Sequence, residues 1–162
     1  MGQDVVHVGS ALEYGSISGK LSEDSKPNHT TLCGISKLAG IHALATCCQI
    51  HGIKGLTVRL FTVYGPGEHP GRLLPSIMDA AGTGNSLSLT PGRQRRDFTY
   101  VEDVAEGLLC LGLSEAKSGE IVNLATGTLT SVRDFAETEA RILGISRDAL
   151  KFGETPTRKE EM

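Results

Sequence analysis

Near the amino terminus lies Val5-Val6-His7-Val8-Gly9, a short run dominated by β-branched residues. Such a run is typical of a strand that is buried on both faces of a parallel sheet. Further along, Leu56-Thr57-Val58-Arg59-Leu60-Phe61-Thr62-Val63-Tyr64 predicts a second strand. Between the two, a threonine (Thr30 or Thr31) can cap a helix that ends at Gly52. Strand, helix and strand in this order predict a βαβ unit with parallel pairing.

The rest of the chain predicts shorter elements, which together with the βαβ unit indicate an α/β protein. Helices are expected over about 72–82, 102–113 and 131–144, and short strands over 86–89, 97–101 and 120–124. Residues 15–30 are rich in Gly, Ser, Pro, Asn and Asp, which is typical of a surface loop.

Composition excludes several classes of function. A chain of 162 residues with 39% hydrophobic and 22% charged residues predicts one globular domain with a real core. The net charge of −3 offers no general attraction to nucleic acid or to an anionic membrane. No apolar run approaches the roughly 20 residues that span a bilayer. Because Met1-Gly2-Gln3-Asp4 does not resemble a signal peptide, we expect a cytoplasmic protein.

Cysteine and histidine spacing predicts no metal centre. The four cysteines match no Cys-x-x-Cys motif, and the five histidines are scattered along the chain. We expect the cysteines to be reduced and mostly buried, since small apolar Cys is common in cores.

The glycine fingerprint that seats a dinucleotide pyrophosphate on a helix, Gly-x-x-Gly-x-x-Gly or Gly-x-Gly-x-x-Gly, occurs nowhere in the chain. The first strand begins almost at Met1, and the polar residues 155–162 include no closing element. These features predict a fragment of a longer α/β protein.

Four segments in a fixed order carry a resemblance to a known family. They are Val8-Gly9-Ser10-Ala11-Leu12-Glu13-Tyr14-Gly15, Cys33-Gly34-Ile35-Ser36-Lys37, Arg59-Leu60-Phe61-Thr62-Val63-Tyr64-Gly65-Pro66-Gly67 and Arg95-Arg96-Asp97-Phe98-Thr99-Tyr100-Val101-Glu102-Asp103-Val104. The series resembles the extended short-chain dehydrogenase/reductase superfamily, in its NAD-dependent epimerase/dehydratase family, which acts on nucleotide sugars. The resemblance spans roughly residues 4–145.

This resemblance implies a fold and a division of labour. Residues 1–66 would form the C-terminal portion of a Rossmann-like, doubly wound parallel sheet, without the N-terminal dinucleotide-binding half. Residues 67–162 would form a small α/β substrate-binding region that is truncated at its C-terminus. The implied cofactor is NAD or NADP, the implied substrate is a nucleotide sugar, and the implied assembly is a homodimer built on the helix that follows the first strand.

The resemblance also implies roles for individual residues. Ser10 matches the family's hydroxyl that hydrogen-bonds the reacting sugar hydroxyl or ketone, and Lys37 matches the lysine that holds the nicotinamide ribose. The backbone of Phe61, Thr62 and Val63 would border the nicotinamide.

Nucleotide-sugar binding is implied for the second half of the chain. Either Arg95 or Arg96 matches an arginine that clamps the diphosphate, a task suited to a fork of donors. Arg72 and Leu73 lie in a segment that resembles the one bordering the base and sugar.

Cys33 departs from the family pattern, which is Tyr-x-x-x-Lys. In that pattern the tyrosine exchanges a proton with the substrate, and the lysine one helical turn later lowers the phenol pKa from about 10. A thiol can ionise, but cysteine is shorter by most of a phenol ring. We therefore expect weak or absent turnover, with Cys33 in the catalytic position and a water relaying the proton.

The sequence leaves open two enzymatic activities and one function without catalysis. Dehydratases of the family carry carboxylates where this chain has Ala11 and Leu12, which disfavours water elimination. An epimerase and a 4-ketoreductase are not separated by the sequence. The alternative is a degenerate relative that binds a nucleotide sugar or a partner without turnover.

Overall fold

A computed structural model describes residues 2–15, 21–28 and 30–157. The strands are β1 (Val5–Ser10), β2 (Gly55–Leu60), β3 (Thr62–Tyr64), β4 (Leu87–Leu89), β5 (Arg95–Tyr100), β6 (Ile121–Leu124), β7 (Leu129–Ser131) and β8 (Leu150–Phe152). The helices are α1 (Leu32–His51), α2 (Leu73–Thr83), α3 (Val101–Leu113) and α4 (Val132–Ile142), with 3₁₀ turns at Ala11–Glu13 and Arg147–Ala149. Among the described helices, none has both the length and the apolar character needed to span a membrane.

The described residues fall into two compact units. Unit 1 comprises residues 2–63 and 99–126, and unit 2 comprises residues 64–98 and 127–157. This division follows the contacts within the chain, whereas the functional boundary expected at residue 66 stays a prediction.

Unit 1 contains a parallel sheet of strand order β1-β2-β6. Val8 pairs with Val58 and Ser10 with Leu60, while Leu60 pairs in turn with Leu124. The predicted parallel pairing of the first two strands is therefore confirmed, and β6 adds a third parallel strand. Leu56 and Val58 of the central strand are fully buried, as expected for a sheet covered on both faces.

Small residues bring α1 and α3 close to this sheet. A Cβ at Gly40 of α1 would overlap the imidazole of His7, and one at Gly107 of α3 would lie 2.8 Å from Leu124 Cδ1. The first turn of α1 is capped by Thr31, whose hydroxyl accepts from Gly34 N at 3.1 Å. The helix ends at Gly52, which has the left-handed φ of 66° that glycine tolerates best.

Unit 2 is built on short strands and two helices. β5 and β7 are antiparallel, β4 and β8 are parallel, and α2 packs against α4. Its apolar cluster contains Ile77, Ala136, Ala140 and Leu150. The rings of Tyr64, Phe98 and Phe135 form a second contact group, in which Phe98 stacks on Phe135 at a centroid distance of 4.1 Å.

The structure departs from the expected strands in two respects. The single strand expected over 56–64 is divided at Phe61 into β2 and β3, and the sequence pattern did not predict β7 or β8. In the expected loop over 15–30, the described residues 21–28 form turns and irregular backbone, while 16–20 and 29 lie outside the described residues.

Candidate active site

Ser10 lies at the carboxyl end of β1, where the chain turns from strand into a 3₁₀ turn. Its hydroxyl oxygen accepts a hydrogen bond from Leu12 N at 3.2 Å, and its own N–H donates to Glu13 Oε1 at 2.8 Å. This is a capping box, in which the first and last side chains of Ser-x-x-Glu satisfy each other's backbone donors. Because the Ser10 oxygen acts as acceptor in the turn, its hydroxyl hydrogen can be donated elsewhere.

Lys37 reaches the same strand end from α1. Its Nζ donates to the carbonyl oxygen of Val8 at 2.8 Å, and the side chain is half-buried. Val8 precedes Ser10 by two residues, so the ammonium and the hydroxyl belong to one end of β1. An ammonium has three N–H donors, and the bond to Val8 accounts for one of them.

Cys33 is in the first turn of α1, one turn before Lys37. The residue is exposed, and its carbonyl accepts from the hydroxyl of Ser36 at 2.9 Å. The expectation of mostly buried cysteines is wrong for Cys33 and Cys110, which are both exposed. Cys47 and Cys48 are half-buried.

His7 lies beneath α1, with Nδ1 at 3.4 Å from Thr57 Oγ1. Burial lowers the pKa of His7 from the ordinary value of 6.5, and the positive charge of Lys37 lowers it further. The carboxylate of Glu13 opposes these two effects. The imidazole is thus close enough to sense both charges of the region.

A buried ionic network lies beside Ser10, and the sequence reasoning did not identify it. Arg59 is 1% exposed and Glu13 is fully buried, with Arg59 Nε donating to Glu13 Oε2 at 2.6 Å. Arg59 also donates to the Tyr14 hydroxyl at 2.7 Å, and its guanidinium lies 4.5 Å from the centre of that ring. Two sequence signals were present: the Ser-x-x-Glu spacing from Ser10, and an arginine inside an otherwise apolar strand.

The residues expected to border the nicotinamide surround the break between β2 and β3. Phe61 is the single residue between the two strands, and Thr62 and Val63 begin β3. All three are half-buried in unit 1. Their role toward a cofactor stays a prediction.

The residues expected to bind the nucleotide sugar lie in unit 2. Arg72 is exposed at the N-cap of α2 and forms an ion pair with Glu68, with Nε to Oε1 at 3.3 Å. Leu73 packs against the apolar cluster of this unit, so part of its side chain serves the core.

Arg95 and Arg96 are consecutive in β5, so their side chains project from opposite faces of the sheet. Arg95 is exposed and donates from Nη2 to the Leu129 carbonyl at 2.8 Å, whereas Arg96 is half-buried. At most one of the two can therefore face a given ligand. The prediction that either Arg95 or Arg96 binds the diphosphate therefore stays open between the two residues.

A comparison with known families decides the relationship of this chain. The family model described as "NAD dependent epimerase/dehydratase family" matches residues 1–125. The chain belongs to the NAD-dependent epimerase/dehydratase family. The resemblance inferred from the four segments is thereby confirmed.

Individual relatives agree with this assignment. An uncharacterized UDP-glucose epimerase of Bacillus subtilis is 30% identical over 131 residues, which are 80% of this chain and 42% of the relative. A CDP-abequose synthase of Salmonella typhimurium is 30% identical over 118 residues, which are 70% and 40% of the two chains. This chain therefore spans less than half the length of these relatives.

Solved structures confirm the Rossmann-type α/β fold class. A UDP-glucuronic acid 4-epimerase of Bacillus cereus, solved with UDP-glucuronic acid and NAD, superposes with a TM-score of 0.86 at 27% identity. The superposition covers 98% of this chain and 50% of that chain. The family and the α/β architecture expected from the sequence are thus both established.

The lowered pKa of His7 predicts a pH-dependent stability. The unfolded chain binds this proton more tightly than the folded chain, so the free energy of unfolding falls as the pH drops from about 6.5 through the folded-state pKa. Denaturant titration between pH 7.5 and 5 should show this loss, and His7→Asn should reduce it. The control is His42→Asn, which replaces an exposed histidine of α1 and should keep the pH dependence of the parent chain. An identical pH dependence in His7→Asn and the parent chain would contradict the assignment.

Proposed function

We propose that this chain supplies the sugar-binding and proton-handling residues of an NAD(P)-dependent nucleotide-sugar epimerase or 4-ketoreductase. The observation that carries the proposal is the hydrogen bond from Lys37 Nζ to Val8 O, because it brings the cation to the strand end that carries Ser10. The relatives support the substrate class, since one is described as a UDP-glucose epimerase and another as a CDP-abequose synthase.

In this proposal each residue has a limited task. Ser10 donates its hydroxyl hydrogen to the reacting oxygen of the sugar. Lys37 donates its remaining N–H groups to ribose hydroxyls and keeps a positive charge beside the reacting oxygen. When bound, a nicotinamide cofactor would accept the hydride from the sugar of an epimerase in its oxidised form, or donate the hydride to the ketone of a ketoreductase in its reduced form.

The fit of this chain to such a cofactor is partial. The free donors of Lys37 suit the ribose at the nicotinamide end, and Phe61 to Val63 would border the ring. The sequence contains no glycine fingerprint for the pyrophosphate. A complete dinucleotide site would therefore need residues beyond those that resemble the family here.

Cys33 supports impaired turnover. A thiol on the shorter side chain would have to pass the substrate proton through a water, whereas a tyrosine at this position would reach it directly. The same observation favours a second candidate function, in which the chain binds a nucleotide sugar without turnover. Removal of the acid–base group leaves the binding groups Ser10 and Lys37 in place.

The role of Lys37 can be measured by introducing the absent phenol. Cys33→Tyr places a phenol one helical turn from the ammonium, so we expect its pKa to fall about one unit or more below the usual value of about 10. Ultraviolet absorbance of the phenolate, after subtraction of the parent chain, measures this value. Cys33→Tyr with Lys37→Met is the control, in which the pKa should return toward 10. Equal pKa values in the two variants would exclude an electrostatic role for Lys37.

Diphosphate binding is proposed for unit 2. Arg95 or Arg96 would pair with the diphosphate, and Arg72 and Leu73 would border the base and sugar. A guanidinium suits this task because its fork of N–H groups can bond two phosphate oxygens at once. The exposure of Arg95 and Arg72 leaves both guanidinium groups accessible to a ligand.

Calorimetric titration tests the proposed function directly. We expect UDP-glucose and UDP to bind the purified chain, and NADH to bind weakly or not at all. Arg95→Ala or Arg96→Ala should weaken UDP binding about tenfold or more, since a hydrogen bond to a charged group contributes about 1.5–3 kcal/mol. Arg147→Ala removes an exposed arginine of unit 2 and should leave binding unchanged. If neither UDP-glucose nor UDP binds, both the enzymatic and the binding hypotheses fail.

A homodimer through α1 also belongs to this proposal. The exposed residues of this helix include large apolar side chains: Leu32, Ile35 and Ile50 are 85%, 47% and 68% exposed. Large apolar side chains that are exposed together on one helix favour its coverage by a partner. Gly40 contacts the sheet through His7, but Ala39 and Ala43 are exposed and would permit a close approach of a second α1.

Light scattering on the eluting chain tests this assembly. We expect a mass twice the 17.2 kDa of one chain for the parent protein. Ile35→Glu should shift the mass toward one chain, because it places a charge in the apolar face of α1. Met78→Glu, a matched substitution at an exposed apolar residue of α2, should not. A monomeric parent protein, or a dimer that tolerates Ile35→Glu, would rule out this interface.

A further inference from the structure

The ion pair between Glu13 and Arg59 is buried, with side-chain exposures of 0% and 1%. Removing two charges from water is unfavourable, and an apolar pair of similar volume is often as stable or more stable. Stability alone therefore gives a weak reason for a glutamate and an arginine at these positions. A stronger reason for these two residues is the set of hydrogen bonds that their side chains donate and accept.

Glu13 divides its carboxylate between two partners. Oε2 accepts from Arg59 Nε at 2.6 Å, and Oε1 accepts from the Ser10 N–H at 2.8 Å. The guanidinium therefore fixes the carboxylate, and the carboxylate fixes the backbone of Ser10. A Cβ at Gly9 would lie 2.7 Å from Glu13 Oε1, so the strand is shaped to admit this carboxylate.

Arg59 extends the same restraint across the sheet. Its Nη1 donates to the Tyr14 hydroxyl at 2.7 Å, and that hydroxyl donates to Asn123 Oδ1 at 2.8 Å. Asn123 pairs with Arg59 in the register of β2 and β6. The carboxyl ends of β1, β2 and β6 are thus tied by one continuous set of hydrogen bonds.

The segment that leads from Ser10 toward α1 is attached to the same network. Asn28 N donates to the Glu13 carbonyl at 3.1 Å, and Asn123 N donates to Glu23 Oε1 at 2.8 Å. Residues 21–28 are therefore held at the strand ends before the chain enters the helix that carries Lys37.

We propose that Glu13, held by Arg59, is a positioning residue that sets the direction of the Ser10 hydroxyl toward a bound nucleotide sugar. This inference rests on the proposed function, since it assigns a ligand to Ser10. Within the capping box the Ser10 oxygen is oriented by Leu12 N and its backbone by Glu13, which leaves the hydroxyl hydrogen directed away from the turn.

The closing experiment replaces the charged pair by an apolar one. Glu13→Leu with Arg59→Met keeps similar volume and removes both charges, so we expect the melting temperature to be retained. Hydrogen exchange of the Ser10 amide, followed by NMR, should accelerate at least about tenfold, because the carboxylate acceptor is gone. The affinity for UDP-glucose should fall about fivefold to tenfold, to the level of Ser10→Ala.

Additivity separates positioning from a purely structural role. Ser10→Ala added to the apolar pair should cause no further loss of affinity, since both changes remove one function. Glu120→Gln is the matched control, because Glu120 Oε2 also accepts from a backbone N–H three residues earlier, that of Lys117, at 2.9 Å. It should change neither the Ser10 exchange rate nor the affinity.

Each outcome decides the proposal. The proposal is overturned by additive losses of affinity, by parent-like affinity, or by unchanged hydrogen exchange of the Ser10 amide. Unfolding of the variant with the apolar pair would also overturn it, because the two ions would then serve stability. If the parent chain binds no UDP-glucose, the proposed function fails by itself. The exchange rate of the Ser10 amide still tests whether Glu13 positions that residue.

Discussion

Parallel pairing of β1 and β2 is the constraint on which the site depends. It sends the carboxyl ends of both strands to one edge of the sheet, where Ser10 ends the first strand and Phe61 follows the second. In an antiparallel pair these ends would be separated by the length of a six-residue strand, about 20 Å. The crossover helix α1 begins at this edge before it runs back along the sheet, so Lys37, in its second turn, lies near the end of β1.

The buried ion pair depends on that register. Gly9 pairs directly with Arg59, so the position without a side chain lies where the Glu13 carboxylate meets the guanidinium. A shift of one residue would place a Cβ in this space and turn the arginine to the other face. The sugar chemistry proposed for Ser10 would need a hydroxyl held close to its productive geometry, and a hydrogen-bonded network at a strand end would provide such precision.

The sequence predicted the parts of the fold that have strong local patterns. β1, α1 and the first part of the second strand follow from β-branched runs and from the caps at Thr31 and Gly52. The parallel pairing was confirmed, but the second strand ends at Leu60 and not at Tyr64. β7 and β8 have three residues each and depend on partners far along the chain, so no periodicity reveals them. The Glu13–Arg59 pair was hidden for the same reason: each signal was visible, but 46 residues separate the two partners.

The position of Cys33 separates the proposed binding groups from the group expected to transfer the proton. Ser10 and Lys37 are placed by the strand end and by α1, and neither placement uses the side chain at position 33. Ground-state binding of a sugar needs only those fixed donors, whereas acceleration of the reaction needs a group that acts in the transition state. One exposed side chain in the first turn of a helix can therefore change without disturbing the placement of Ser10 and Lys37. Under the proposed function, this arrangement would let a member of the family keep its sugar-binding groups while a cysteine occupies the position expected to move the proton.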